Sequence, residues 1–191
     1  MIIKNYELEK KKLDQNIYLL YGDNDGYKEE IISNILQKLQ FKKFTYFEKD
    51  ILNDKENFFN LLFSKSFFES EKIILVKDVS DKMFDVINDI KRKGLEGVIL
   101  ILETNVLEKK SKIRNFFEKK TNLFILPFYE DNFETLSVVS NTFLKKNKIK
   151  ISRSDLNLII SRCGGDRGIL QNELNKIYLY SLNNKILNSE I

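Results

Sequence analysis

Five short segments dense in β-branched, leucine and aromatic side chains punctuate the first two thirds of the chain: Ile17 to Tyr21, Phe44 to Glu48, Lys72 to Lys77, Val98 to Leu102 and Leu123 to Leu126. Their length and composition predict strands. Between them the apolar positions recur at helical spacing: Ile31, Ile32, Ile35, Leu36 and Leu39; Phe58, Phe59, Leu62 and Phe63; Met83, Phe84, Ile87 and Ile90; then Ile113, Phe116 and Phe117. Strand and helix therefore alternate, which predicts a mainly parallel five-stranded sheet with helices on both faces. Asp54 and Ser80 stand where N-caps of the second and third helices belong.

After the single proline, Pro127, the pattern changes. Residues 133–146, 154–162 and 167–181 read as helices with no strand between them, and Gly164-Gly165 separates the last two. The expected organisation is an α/β domain over residues 1–130 and a small all-helical domain over 131–191. The final KILNSEI offers an N-cap at Asn188 or Ser189 with no helix after it, which implies a truncated chain.

Composition narrows the chemistry. The chain has no histidine, which removes the usual general base and most zinc sites, and its one cysteine, Cys163, allows no internal disulfide. Without a base nearby in sequence, Cys163 reads as a small buried residue. No segment has the pattern of a signal peptide or a membrane span, so a cytoplasmic location is expected. A formal charge of +4, from 32 basic and 28 acidic side chains, permits contact with nucleic acid without arguing for it. Lysines cluster at 109 to 120 and 145 to 150, where solvated helix faces are the default reading and DNA contact the alternative.

The strand-to-helix turn LLYGDNDGYKEE has the layout of a phosphate-binding loop. Such a loop needs G-x-x-x-x-G-K-[ST], so that backbone amides wrap the phosphates, lysine meets the outer ones and the hydroxyl ligates magnesium. Here Gly22 and Gly26 are one residue too close, Lys28 is displaced by one place, and Glu29 stands where the hydroxyl belongs. Asp23 and Asp25 add two negative charges. A like-charge contact at about 4 Å and an effective dielectric near 20 costs roughly 4 kcal/mol. The turn reads as a degenerate P-loop that binds no nucleotide, with Asp25 as N-cap and Gly26 for close packing. A dinucleotide-binding G-x-G-x-x-G is absent too.

Several segments, in order, carry a resemblance: LLYGDNDGYKEE, SFFESEKIILVKD, VILILETNVLEKKSKIRNFFEKK, LPFYEDN and GGDRGILQNELNKIYLY. Together they resemble the delta subunit of the bacterial DNA polymerase III clamp loader. The resemblance covers nearly all of this chain but only a little over half of a typical delta chain. It implies a P-loop NTPase-like (AAA+) first domain and a helical lid; the family's third, collar domain is absent from this sequence. It also implies a role in DNA replication within the polymerase III holoenzyme, a DNA-directed DNA polymerase and so a nucleotidyltransferase by complex membership. The subunit itself would have no catalytic residues, cofactor or metal. Its implied partners are the sliding clamp (beta subunit), the gamma/tau and delta-prime loader subunits, and primer-template DNA through the complex.

By position, the implied clamp-binding element is the helix from about Asn57 to Ser64, which includes Phe63, followed by Ser66 and the apolar pair Phe67 and Phe68. A leucine is common at the first place of that pair, so the plug here is bulkier. Each phenyl buried in a partner pocket contributes ~1.5–3 kcal/mol; the alternative is that both rings cover the core. Arg167 lies where a lid arginine meets the terminal phosphate in ATP-binding cousins, although Asp166 capping a helix that begins with Arg167 is the simpler account. Asp78 reads as a strand-end residue, and Thr104 and Asn105 as turn caps. Two other readings are carried: an ATP-dependent AAA+ enzyme with an atypical P-loop, and a plain DNA-binding module.

Overall fold

A computed structural model describes residues 16–39, 41–63, 71–120 and 122–183. The chain divides into two compact units. Among the described residues, one holds 16–23 and 32–128, and the other holds 24–31 and 129–183.

The first unit is built on a five-stranded sheet in the order β2-β3-β4-β1-β5, with β1 Ile17–Tyr21, β2 Lys42–Phe47, β3 Lys72–Lys77, β4 Val98–Thr104 and β5 Phe124–Pro127. Every pairing is parallel, so each return requires a crossover, and helices supply it. These are α1 Asp25–Leu39, α2 Glu48–Asn53, α3 Lys55–Phe63, α4 Phe84–Lys93 and α5 Lys112–Lys119. Strands β1 and β5 are buried along their whole length, and β3 and β4 over most of theirs, as expected of strands covered on both faces. The core gathers Leu19, Tyr21, Ile74, Val76, Leu100, Leu102 and Ile125 with Phe58, Met83, Ile87, Ile90 and Phe117 from the helices.

The second and fifth strands differ in their bounds from the sequence reading. The second strand begins at Lys42 and ends at Phe47. Glu48 opens α2 instead, 8% exposed, and its carboxylate accepts hydrogen bonds from the Ser80 amide at 2.5 Å and hydroxyl at 2.8 Å. A buried carboxylate with two donors stabilises a fixed turn, which no periodicity reveals. The fifth strand is Phe124–Pro127: Pro127 is its last residue, at an edge strand where a missing amide costs least. Asp54 does accept from the Asn57 amide at 3.0 Å. Ser80 caps a single 3-10 turn, Asp81–Met83, which runs on into α4.

In the second unit the helices are α6 Phe133–Asn147, α7 Arg153–Arg162 and α8 Arg167–Asn183, together with the first turns of α1. Leu136, Leu144, Leu156, Ile160, Leu170 and Leu174 form its core around Cys163. Each start is capped: Asn132 and Thr135 form a reciprocal box on α6, Ser152 caps α7, and Asp166 accepts from the Ile169 amide at 2.9 Å. Gly164 and Gly165 both adopt positive φ, 58° and 88°, which lets the chain reverse between α7 and α8 within two residues.

Candidate functional site

The glycine turn after β1 is where the fold would place a phosphate, because amides at a helix N-terminus attract anions. Gly22 has φ 126° and lies so close to the end of β5 that an added Cβ would sit 2.0 Å from the Phe128 carbonyl oxygen. Its amide donates to the Asn105 carbonyl at 3.1 Å. That bond gives Asn105 a turn-closing role through its backbone. Asp78, at the end of β3, takes a left-handed conformation with φ 60°.

The cap of α1 corrects the sequence reading. Asn24, buried, accepts from the Tyr27 amide at 3.0 Å through its side chain and from the Lys28 amide at 3.0 Å through its carbonyl, so Asn24 is the N-cap and Asp25 the first helical residue. Two aspartates and an asparagine in a row compete for this place. Asn24 takes it because its amide nitrogen can also donate, to the Tyr129 carbonyl at 2.9 Å and to Asp131 at 2.7 Å, whereas an aspartate there would face another carboxylate.

Asp131 is the centre of the arrangement. Arg167, in the first turn of α8, grips both of its oxygens, Nε at 2.7 Å and Nη2 at 2.9 Å, with side-chain exposures of 8% and 5%. The guanidinium carbon stands 3.7 Å from the centre of the Tyr27 ring, and Nη1 reaches Glu30 at 3.4 Å. Gln171, one turn further along α8, also donates to Glu30, at 3.1 Å. Burial by itself would raise the Asp131 pKa. Hydrogen bonds from Arg167 first, then Thr135 and Asn24, outweigh it and hold the carboxyl below the usual carboxylate range. Burial likewise works against the arginine cation, and bonding to Asp131 overrides it, so the pair is ionised.

Gly26 completes the closure. A Cβ there would meet the Gly168 amide nitrogen at 2.4 Å and its Cα at 2.9 Å, so the first turns of α1 and α8 touch backbone to backbone. Lys28 is 1% exposed and its ammonium pairs with Asp25 at 2.8 Å. Gly22, Gly26, Lys28 and Arg167 are thus all engaged with protein, the glycines by steric fit and the cations by carboxylates. Sequence reasoning singled out those four and missed Asn24, Tyr27, Glu30 and Asp131. The signal available was LPFYEDN, which carries Asp131, together with two facing single-residue glycines, Gly26 and Gly168.

Of the residues placed at the expected docking element, Ser66, Phe67 and Phe68 lie outside the described residues. Phe63 is the last described residue of α3, half-buried. Its ring stacks on Phe59, with centroids 6.1 Å apart and planes 7° from parallel, and the Lys93 ammonium stands 4.8 Å from the Phe59 ring and 5.2 Å from the Phe63 ring. Cys163 is buried with its thiol donating to the Ile159 carbonyl. Burial, and after it the charges of Glu173 and Asp166, push that thiol up, away from nucleophilic form. Among the described residues no cluster of three metal-ligating side chains occurs, and no helix is long and apolar enough to cross a membrane.

No protein-family model matches the sequence, and no curated protein matches it closely. Solved structures do match in shape. The Bacillus subtilis DNA clamp loader delta protein (YqeN) superimposes with a TM-score of 0.66 at 15% identity, over 97% of this chain and 59% of its own. Domain III of the Thermotoga maritima replication initiation protein DnaA gives 0.54 at 15% identity, over 97% and 85%. The Thermotoga maritima RuvB Holliday junction branch migration motor gives 0.54 at 12% identity, over 97% and 66%. The chain spans 59% of the length of that clamp loader protein. Its five-stranded parallel sheet, the helices around it and the helical tail make this an AAA+-type P-loop NTPase fold, similar over nearly the whole chain to a clamp loader delta protein.

Proposed function

We propose that this chain is the part of a clamp-loader delta subunit that binds a sliding clamp and opens the ring for loading onto primed DNA, without itself binding ATP. The observation that carries the ATP-free reading is the filled turn: an internal carboxylate, Asp131, occupies the arginine that a phosphate would otherwise recruit, and Gly168 abuts the helix start that a phosphate would approach. The likeness in shape to a clamp loader delta protein supports the rest of the reading. Opening would come from differential affinity: a surface that binds the open ring better than the closed one shifts the equilibrium by that difference. ATP would act through other subunits that this one contacts, the gamma/tau and delta-prime subunits would be its partners in the loader, and primer-template DNA would enter through the assembled complex.

The docking element would be α3 with Phe63, extended by Ser66, Phe67 and Phe68. A pull-down against the cognate clamp tests it. Phe67→Ala/Phe68→Ala is expected to abolish capture, and unchanged capture removes the proposed site. Titration calorimetry with Mg-ATP tests the other half: no heat of binding is expected at micromolar protein, and a micromolar dissociation constant would favour an ATP-dependent AAA+ enzyme instead.

A further inference from the structure

Helix α3, from which the proposed docking element runs on, has no cation of its own at its carbonyl end: Lys55–Phe63 carries no basic residue in its last turn. The last carbonyls of a helix lack partners within it and attract positive charge. Two lysines from other elements supply that charge. Lys72, the first residue of β3, donates from its ammonium to the Leu61 carbonyl at 2.5 Å. Lys93, the last residue of α4, is the cation that stands over the Phe59 and Phe63 rings, 4.8 Å and 5.2 Å from their centres. Those rings are one helical turn apart and nearly parallel, so a single ammonium meets both.

Burial of Phe58 and Leu62 in the core already accounts for the place of α3 against the sheet. The two lysines act on its last turn. The bond from Lys72 to Leu61 joins residues eleven apart, so the chain that leaves α3 and the chain that enters β3 are held at one base. Lys93 is exposed and contributes little by its own burial, yet it ties Phe59 and Phe63 to the end of α4. We infer that Lys72 and Lys93 are positioning residues for clamp docking. They hold the last turn of α3, and with it the base of the segment that follows, in the orientation the clamp accepts, which lowers the ordering cost of binding. This inference rests on the docking reading above and gives neither lysine a contact with the clamp.

The test uses the full 191-residue chain, the cognate clamp on a biosensor surface, and the variants Lys72→Met and Lys93→Met, which nearly keep side-chain length and remove the charge. Each should weaken binding roughly fivefold. Lys93→Arg, which keeps a cation over the rings, should restore the parent affinity. Deuterium exchange in the free methionine variants should quicken at amides 60 to 63 and stay at parent rates in β1, β3 and β4, with the melting temperature within about 4 °C of the parent's. Parent-like affinity of both methionine variants, unaltered exchange at 60 to 63, or a loss that Lys93→Arg does not restore would overturn the inference and leave the docking reading standing. So would a larger fall in melting temperature with faster exchange throughout the sheet, the mark of a general structural role. A parent chain that does not bind the clamp would overturn the docking reading and this inference with it.

Discussion

Replacing Asp131 with asparagine keeps the shape of the side chain and removes the charge around which Arg167 is arranged. A guanidinium 8% exposed is then left without its principal anion, and among the described residues Glu30, at 3.4 Å, is the carboxylate still bonded to it. Breaking a buried pair from one side costs about 3–5 kcal/mol, so urea denaturation should show the variant destabilised by that order. The pH dependence has a definite sign. The folded-state pKa of Asp131 lies below its unfolded value, so its contribution is complete above the ordinary carboxylate range of about 4 and is lost as pH falls from there through the depressed folded value. Helical circular dichroism followed from pH 6 to pH 2 should therefore show a smaller acid destabilisation in Asp131→Asn than in the parent. Gly26→Ala acts by shape alone: a methyl 2.4 Å from a backbone nitrogen forces α1 and α8 apart, and a loss of roughly 1–3 kcal/mol is expected in the same assay.

Among the elements, α5 shows how a helix start can be held from outside. The Asp81 carboxylate accepts from the Ser111 hydroxyl at 2.6 Å, the Lys112 amide at 3.0 Å and the Ile113 amide at 3.1 Å, in addition to the Ser111 cap on Arg114. Although burial opposes it, this set of donors holds the Asp81 carboxyl below its ordinary value. Asp81→Ala should cost about 1 kcal/mol in thermal unfolding, the size of a lost cap, since the residue is exposed. Periodicity in the sequence revealed α5 through Ile113, Phe116 and Phe117, and the neighbouring strands through their β-branched runs. It could not reveal Asp81 as the cap, because the two lie 30 residues apart. The same limit explains the turn after β1. The departure of Gly22, Gly26 and Lys28 from the spacing of a phosphate-binding loop was legible in the sequence, whereas the contacts among Asn24, Asp131 and Arg167 beside that turn were not, since partners more than 30 residues distant leave no local pattern. Glu48 read as a strand end for that reason as well: its partner, Ser80, is 32 residues away.

At the scale of the whole molecule, protection should follow position in the sheet. β3, β4 and β1 have a strand on both sides, whereas among the described residues β2 and β5 have one neighbour each. Native-state amide exchange is expected to be slowest in β1, β3 and β4 and measurably faster in β2, whose exposed face carries Lys43, Thr45 and Phe47. Equal protection of β2 in the free chain would mean that its edge is already covered.

On the proposed ATP-free reading, the backbone contact between Gly26 and Gly168 also bears on any attempt to make this scaffold respond to nucleotide. Rewriting the turn to the motif letters, with lysine and a hydroxyl residue in their usual places, changes side chains and leaves another helix standing in the doorway. A workable redesign would have to start at α8, by moving residues 166 to 168 aside, before any edit near Lys28 could matter.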